Sequence, residues 1–395
     1  MIPQLKLVLA FLCCLNSVTA AGQEAPIVAV RSIAFSADGK LLAVAGSAKL
    51  THGILRVINL QTNQVVFEKQ NVESGFVAVD FAPNGLLAVG QFAKVGLIID
   101  VSQQKVVHEL KGHENHVRCV RFNSDGKTLY TGSYDRTVKV WDVTTGKLEH
   151  TITGHPEAIY SLALTSDDSK LAVAIARGDL VWLWDLKTPD KPLVRYKKFG
   201  SLVPCIAISP DDRWLAAASW DGTSPIFRLN DASRTSGIDF RPYGAESVCF
   251  SNNREWYVVG GRSVLLQQIK FPPDTELDKQ IAASFEQLDS EDYESRVAAM
   301  HEIRQLGMRA GAKLLASLDS NSAEVRWRSR KILSHLVSMK SVKRLATHKG
   351  ERIQVAFSKD DRLLASGDSL GELKLWNTST WQEENSYQLR WAESE

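Results

Sequence analysis

Little in this 395-residue sequence points to a protein held together by covalent bonds or driven by charge. Its 47 Lys and Arg nearly balance 45 Asp and Glu, a net charge of +2, so no overall field exists to draw nucleic acid or an anionic membrane. There are 5 cysteines and no Cys-x-x-Cys pair, which removes a disulfide framework, the common zinc patterns and haem attachment. The phosphate-cradling Gly-x-x-x-x-Gly-Lys is absent. His113-Glu114-Asn115-His116 and His301-Glu302 begin like metal sites, but neither becomes His-Glu-x-x-His, since position 305 is Gln. No cofactor or metal site is therefore expected.

The one long apolar run, Leu7 to Leu15, is too short to span a bilayer. With Lys6 before it and Val18-Thr19-Ala20 after it, residues 1–20 read as a secretory signal peptide, and the mature chain is expected to begin near Ala21. Cys13 and Cys14 are not preceded by the small residues of a lipid-attachment box. Export would leave Cys119, Cys205 and Cys249, an odd number placed among hydrophobic strand residues, expected as buried free thiols.

What is present is a repeat. Gly112 to Asp142 has a Gly-His opening, a run ending in Phe122, a Ser-Asp-Gly turn, a run to Ser133, a tight turn at Tyr134-Asp135-Arg136 and a run closing on Trp141-Asp142. Weaker copies begin at Val30, Val77, Ile159, Cys205, Ser247 and Ile353. Alternating apolar runs separated by Asp-Gly, Asn-Gly or Asp-Asp turns predict antiparallel hairpins. Between the sixth and seventh copies the period lengthens to about 3.6, predicting helices near 275–288, 291–306, 309–319 and 323–339. Val297, Met300, Ile303 and Leu306 would share one buried face, and Asn321 with Glu324 would form a capping box.

The Gly112–Asp142 pattern resembles a WD40 repeat, and the helical stretch resembles a short HEAT-like unit of the kind found in secreted bacterial WD40 proteins. The resemblance implies an all-β fold, a seven-bladed WD40 β-propeller with an inserted α-helical module between blades six and seven. Its parts would be a signal peptide (1–20), blades one to six (21–273), the insert (274–340), and the completion of blade six, blade seven and ring closure (341–395). The last outer strand would come from residues near 22–29 or 383–390. The resemblance assigns His113, Thr131, Asp135 and Trp141 to a buried hydrogen-bond chain of structural role. The first, second, sixth and seventh copies are expected to lack most of that chain.

Function is expected at the end of the ring where the innermost strands begin. Repeat register brings Arg31, Val77, Arg118, Tyr160, Pro204, Glu246 and Ile353 to that rim, and Tyr134, Arg177 and Trp220 to the adjoining turns. Arg, Tyr and Trp are the residue types that dominate binding hot spots. A second candidate is the basic insert helix carrying Arg326, Trp327, Arg328, Arg330 and Lys331. These features predict a non-enzymatic, exported, monomeric interaction scaffold, periplasmic or extracellular. It would bind a protein or peptide partner and neither nucleic acid nor, through a transmembrane segment, a membrane. The alternative is a propeller enzyme or ligand binder using the central channel.

Overall fold

The computed structural model describes residues 27–390 apart from 49, 177–180, 190, 198, 233, 254, 269–282, 307–316, 339–342 and 346–347. The expected signal peptide and Arg177 lie outside the described residues. Among the described residues the strands form seven four-stranded antiparallel sheets. Six of these blades are uninterrupted meanders: Ala29–Asn71, Phe76–Lys111, Val117–Ile152, Ile159–Tyr196, Cys205–Asp239 and Gln354–Gln388. Blade six runs from Ser247 to Gln268 and takes Lys343–Arg344 as its outer strand, so the helical insert joins its third strand to its fourth. Innermost strands of consecutive blades touch, and that of blade seven touches that of blade one, which closes the ring.

The burial pattern explains why the repeats read as they do. Second strands such as Leu41–Ala48 and Lys170–Ile175 are buried almost throughout, because a neighbouring blade covers each face. Outer strands such as Lys105–Lys111 alternate buried and exposed, as expected where one face meets water. The core is accordingly not inside any blade but between blades. One cluster joins Leu55, Val57 and Phe67 of blade one to Phe76, Leu87 and Ile99 of blade two. Equivalent clusters fill the remaining six gaps, the last linking Val28, Leu42 and Ile54 to Leu373, Leu375 and Leu389.

Polar bolts reinforce these gaps. Blades four, five and seven carry Asp168, Asp212 and Asp361 at a left-handed turn position that Gly126 occupies in blade three. Each carboxylate accepts backbone N–H groups from the preceding blade: Asp168 from Ser124, Asp212 from Ser166, and Asp361 from Asn252 and Asn253, at 2.6–3.0 Å. The strain of a non-glycine residue at positive φ is thus offset by charge-assisted hydrogen bonds.

Of the two expected routes to ring closure, the structure uses the C-terminal one. Glu383–Gln388 is the outer strand of blade seven. Ile27 makes a single bridge with Arg390, while Tyr387 donates to Asn63 Oδ1 at 2.7 Å and Val30 N–H donates to Asp368 O at 2.9 Å.

The insert contains a helical turn at 283–289, α1 (Tyr293–Leu306) and α2 (Ala323–Ser338). Most of the expected helix at 309–319, with Leu314 and Leu315, lies outside the described residues. Two expectations need correction. The buried stripe of α1 is Ala299, Met300 and Ile303, whereas Val297 is exposed. The caps are Asp292, which accepts from Ser295 N–H, and Ser322, which accepts from Val325 N–H, rather than the Asn321–Glu324 pair.

Removing residues 383–395 should uncover Val28, Ile54 and Leu373 and lower the melting temperature by roughly 10 °C or more. Calorimetry of the truncated chain measures this, and an unchanged melt would show that the outer strand of blade seven is dispensable.

Candidate functional site

The crowded polar residues of blade three form a closed bracket. His113 bonds Asp135 Oδ2 through Nδ1 and Thr131 Oγ1 through Nε2, both at 2.7 Å, and Trp141 Nε1–H donates to Thr131 Oγ1 at 2.8 Å. Glu114 N–H and the Thr137 hydroxyl also donate to Asp135. Burial would raise the Asp135 pKa, but bonds from His113, Thr137 and Glu114 outweigh it and hold the carboxyl well below the usual range. The order Thr, His, Asp imitates a hydrolase triad, yet Thr131 is wholly buried and saturated, so no substrate reaches it.

Other blades solve the same problem differently. Contrary to expectation, blade seven holds a second bracket. His348 Nε2 and Trp376 Nε1 both meet Ser366 Oγ at 2.7 Å, and Asp368 accepts Gly350 N–H. The sequence hid it because Asp368 stands in the strand register of Ser133, two positions before that of Asp135. The letters Gly367-Asp368-Ser369-Leu370-Gly371 match the spacing of a hydrolase elbow. They form a hairpin turn, not the strand-to-helix turn that exposes a nucleophile. Blade four retains His155 and Trp184, but strand register puts Val173 where Thr131 stands. His155 Nε2 and Trp184 Nε1 are therefore buried without hydrogen-bond partners among the described residues. Burial lowers the His155 pKa to about 4, against the pull of its bond to Arg136 O. Blade five replaces the histidine, hydroxyl and indole with Phe199, Ala217 and Phe227, the two rings packing edge to face at 5.5 Å, and keeps Asp221, which accepts from Gly200 N–H and the Thr223 hydroxyl.

The rim has a physical origin in the backbone. In blades one to four the pairing register slips at the start of the inner strand, leaving Arg31, Val77, Arg118 and Tyr160 as the unpaired bulge residues. A bulge re-aims its side chain, and Arg31, Arg118 and Tyr160 leave the inter-blade core. Val77 stays buried, as do Pro204 and Ile353 in their blades.

The aimed residues form one connected set. Tyr134 donates to the Tyr160 hydroxyl at 2.8 Å and stacks on its ring at 5.2 Å, and the Arg118 guanidinium lies 5.5 Å from the Tyr160 ring centre. Trp220 donates its indole N–H to Glu246 at 2.8 Å, and Arg352 lies 5.4 Å from the Trp220 ring centre. Arg31 ties the two groups together. Burial lowers its pKa, the charges of Arg118 and Arg352 lower it further, and Glu246 opposes them. Arg118, Arg352 and Glu246 are thus near enough for their charges to act on Arg31. Beside them lies a pocket of about 220 Å³ walled by Trp220, Tyr243, Glu246, Arg262, Glu351 and Arg352. Sequence register missed Arg352 because it pointed to the next residue, Ile353, which belongs to the core. The Glu351-Arg352 pair before the strand was the available signal.

The insert surface needs a larger correction. Arg326 clamps the carbonyls of Ser320 and Asn321 at 2.6 and 2.9 Å. Arg328 is buried against Glu324 and Met300, and Arg330 reaches Asp231 of blade five at 2.9 Å. Arg228 of blade five reciprocates by bonding Leu318 O and Asp319, and Trp214 packs on the insert core. Arg330 and Arg228 thus hold the insert to the ring, while Arg326 and Arg328 are spent on contacts within the insert. Trp327, half exposed, remains on the surface. Trp214 opens the second strand of blade five and Arg228 closes its third, so the insert sits at the end of the ring opposite the rim.

On the innermost strands, Asp80 of blade two is paired with Arg121 of blade three at 3.1 Å. Cys119, Cys205 and Cys249 are free thiols, and burial pushes that of Cys119 up to about 12. No helix among the described residues is long and apolar enough to cross a membrane.

A ring of seven four-stranded blades, each sharing its core with its neighbours, defines a β-propeller built from repeats. A family model described as "WD domain, G-beta repeat" matches residues 104–142, 146–185, 191–226 and 339–377, each match running from the outer strand of one blade into the third strand of the next. Four stretches of the chain are thus similar to WD40 repeats, and they end in blades three, four, five and seven of the ring. Relatives include U3 small nucleolar RNA-associated protein 12 of Saccharomyces cerevisiae, 29% identical over 51% of this chain and 18% of the relative. The intraflagellar transport protein 122 homolog of Xenopus tropicalis is 27% identical over 47% and 15%. Small ribosomal subunit protein RACK1y of Oryza sativa is 36% identical over 28% and 33%. The chain thus spans at most a third of the length of these relatives. The comparisons indicate no enzyme family.

Asp135→Ala should destabilise the protein by ~2 kcal/mol or more, because it leaves His113 and Glu114 N–H without their buried acceptor. Denaturant titration tests this, and a wild-type midpoint would deny the bracket its role. A second expectation concerns pH. The folded pKa of His155 lies below its unfolded value of 6.5, so stability is full above that value and declines as pH falls from there towards about 4. Melting curves across this window should slope less steeply in His155→Phe, and identical slopes would remove His155 from the account.

Proposed function

We propose that this protein is a non-enzymatic, exported interaction scaffold whose channel mouth captures an acidic segment of a protein partner. The observation that carries the reading is that Arg118 and Arg352 each lie over an aromatic ring at the rim, with Arg31 near enough to feel both charges. Arg31 and Arg118 are partly buried, and partly desolvated cations attract carboxylates more strongly than the same charges would in open water. Tyr134, Tyr160 and Trp220 supply flat apolar walls whose hydroxyl and indole groups are already hydrogen-bonded. Guanidinium groups over aromatic rings with a charged centre are the composition of binding hot spots. Relatives whose printed names place them in a ribosomal subunit or an intraflagellar transport system support a scaffold in general. Export rests on Lys6, the apolar run Leu7 to Leu15 and the small residues before Ala21.

Fluorescence anisotropy with a labelled Asp/Glu-rich peptide tests the mouth. Wild type should bind with an affinity that falls as salt rises. Arg118→Glu with Arg352→Glu should weaken binding at least ~10-fold by placing like charges against the peptide, while Trp327→Ala on the opposite face should not. Equal binding by the charge-reversed protein would exclude the mouth. Mass spectrometry of the exported protein should find a mature chain starting near Ala21, and an intact N-terminus would refute the signal peptide.

A further inference from the structure

The bracket of blade seven differs from that of blade three in one chemical respect. His113 Nδ1 meets a single carboxylate at 2.7 Å. His348 Nδ1 faces two, at 3.7 Å from Asp368 Oδ2 and 3.4 Å from Glu372 Oε2. Neither separation is a normal hydrogen bond. Nδ1 is buried with no hydrogen-bond partner among the described residues, and His348 itself is 6% exposed. The ring is held in this orientation, since Ser366 Oγ engages Nε2 at 2.7 Å and is itself engaged by Trp376. An orphaned ring nitrogen is thus aimed between two carboxylates.

The carboxylates are held as firmly. Asp368, wholly buried, accepts N–H bonds from Gly350, Leu370 and Glu372 at 2.6–2.9 Å. Any side chain at 350 would put its Cβ 2.6 Å from Asp368 Oδ2, so glycine permits this close approach. Lys374 lies 3.5 Å from Glu372 Oε1, which leaves Oε2 turned to the histidine. That lysine is shared with Glu383 at 3.1 Å. Glu372 and Glu383 therefore share one lysine.

A tetrahedral ion with bonds of about 2.1 Å sets its ligands about 3.4 Å apart. The separations of 3.4 and 3.7 Å fit that edge length, and all three donor atoms lie within 4.8 Å of one another. We propose that His348 Nδ1, Asp368 Oδ2 and Glu372 Oε2 form a binding site for one divalent transition-metal ion of zinc type. Imidazole with two carboxylates suits zinc better than calcium or magnesium, which favour all-oxygen sets. Ser366 fixes the histidine tautomer from outside the site, as outer partners of metal-bound histidines do. Glu372 is partly exposed and provides the way in. The ion would clasp blade seven beside ring closure, where Asp368 O accepts Val30 N–H of blade one.

The test is calorimetric titration of ZnCl2 into EDTA-dialysed full-length protein, with CaCl2 as the comparison. One saturable zinc equivalent is expected, weakened at least ~10-fold in Glu372→Gln, with no calcium binding at the same concentrations. The absence of a zinc equivalent, or one that Glu372→Gln leaves unchanged, overturns the proposal. Should that variant not fold, visible absorption of wild-type protein loaded with Co2+ decides. Strong d–d bands of a tetrahedral site support the assignment, and the faint spectrum of six-coordinate cobalt refutes it.

Discussion

The packing of blade on blade is the interaction on which everything else here depends. Second and third strands are buried on both faces, yet no blade supplies both sides of its own core. Leu87 and Ile99 of blade two are covered by Leu55 and Phe67 of blade one, and so on round the ring. A unit whose hydrophobic faces are completed only by its neighbours is unstable alone, which makes closure a condition of folding. That condition explains why the C-terminal strand and Leu389 are tied back to blade one.

Given that ring, the polar brackets are local solutions to one problem: what to do with a strand-end turn that a neighbouring blade has desolvated. Blade three satisfies every donor and acceptor. Blade five drops histidine, hydroxyl and indole together and keeps Asp221 satisfied by Gly200 N–H and the Thr223 hydroxyl, which costs little because no group is left unpaired. Blade four removes the acceptor alone and strands an imidazole and an indole. Blade seven adds a second carboxylate and leaves a nitrogen aimed at it. The chemistry of the ring is concentrated in those blades that depart from the full set.

The mouth and the insert show how far the sequence could be read. Arg31, Arg118 and Tyr160 were legible because a repeat fixes strand register, and register puts them on the bulge that turns them out of the core. Arg352 was not, since blade seven shows no such bulge and the neighbouring Ile353 is core. On the insert, a run of basic residues looked like a docking surface. Whether a helical arginine faces solvent or a neighbouring blade depends on which element lies beside it, and Asp231 is 99 positions from Arg330 in the chain.

Period and turn chemistry determined the seven repeats and the place of the insert, because strand alternation and tight turns are set by residues adjacent in the chain, while the bracket of blade three was legible through the resemblance to a WD40 repeat. Tertiary structure decided which chain end closes the ring, which charges are spent on the insert's own docking, and that Ser366, His348 and Asp368 meet at all. These are relations between elements far apart in sequence. They depend on distance and burial, which no local pattern encodes.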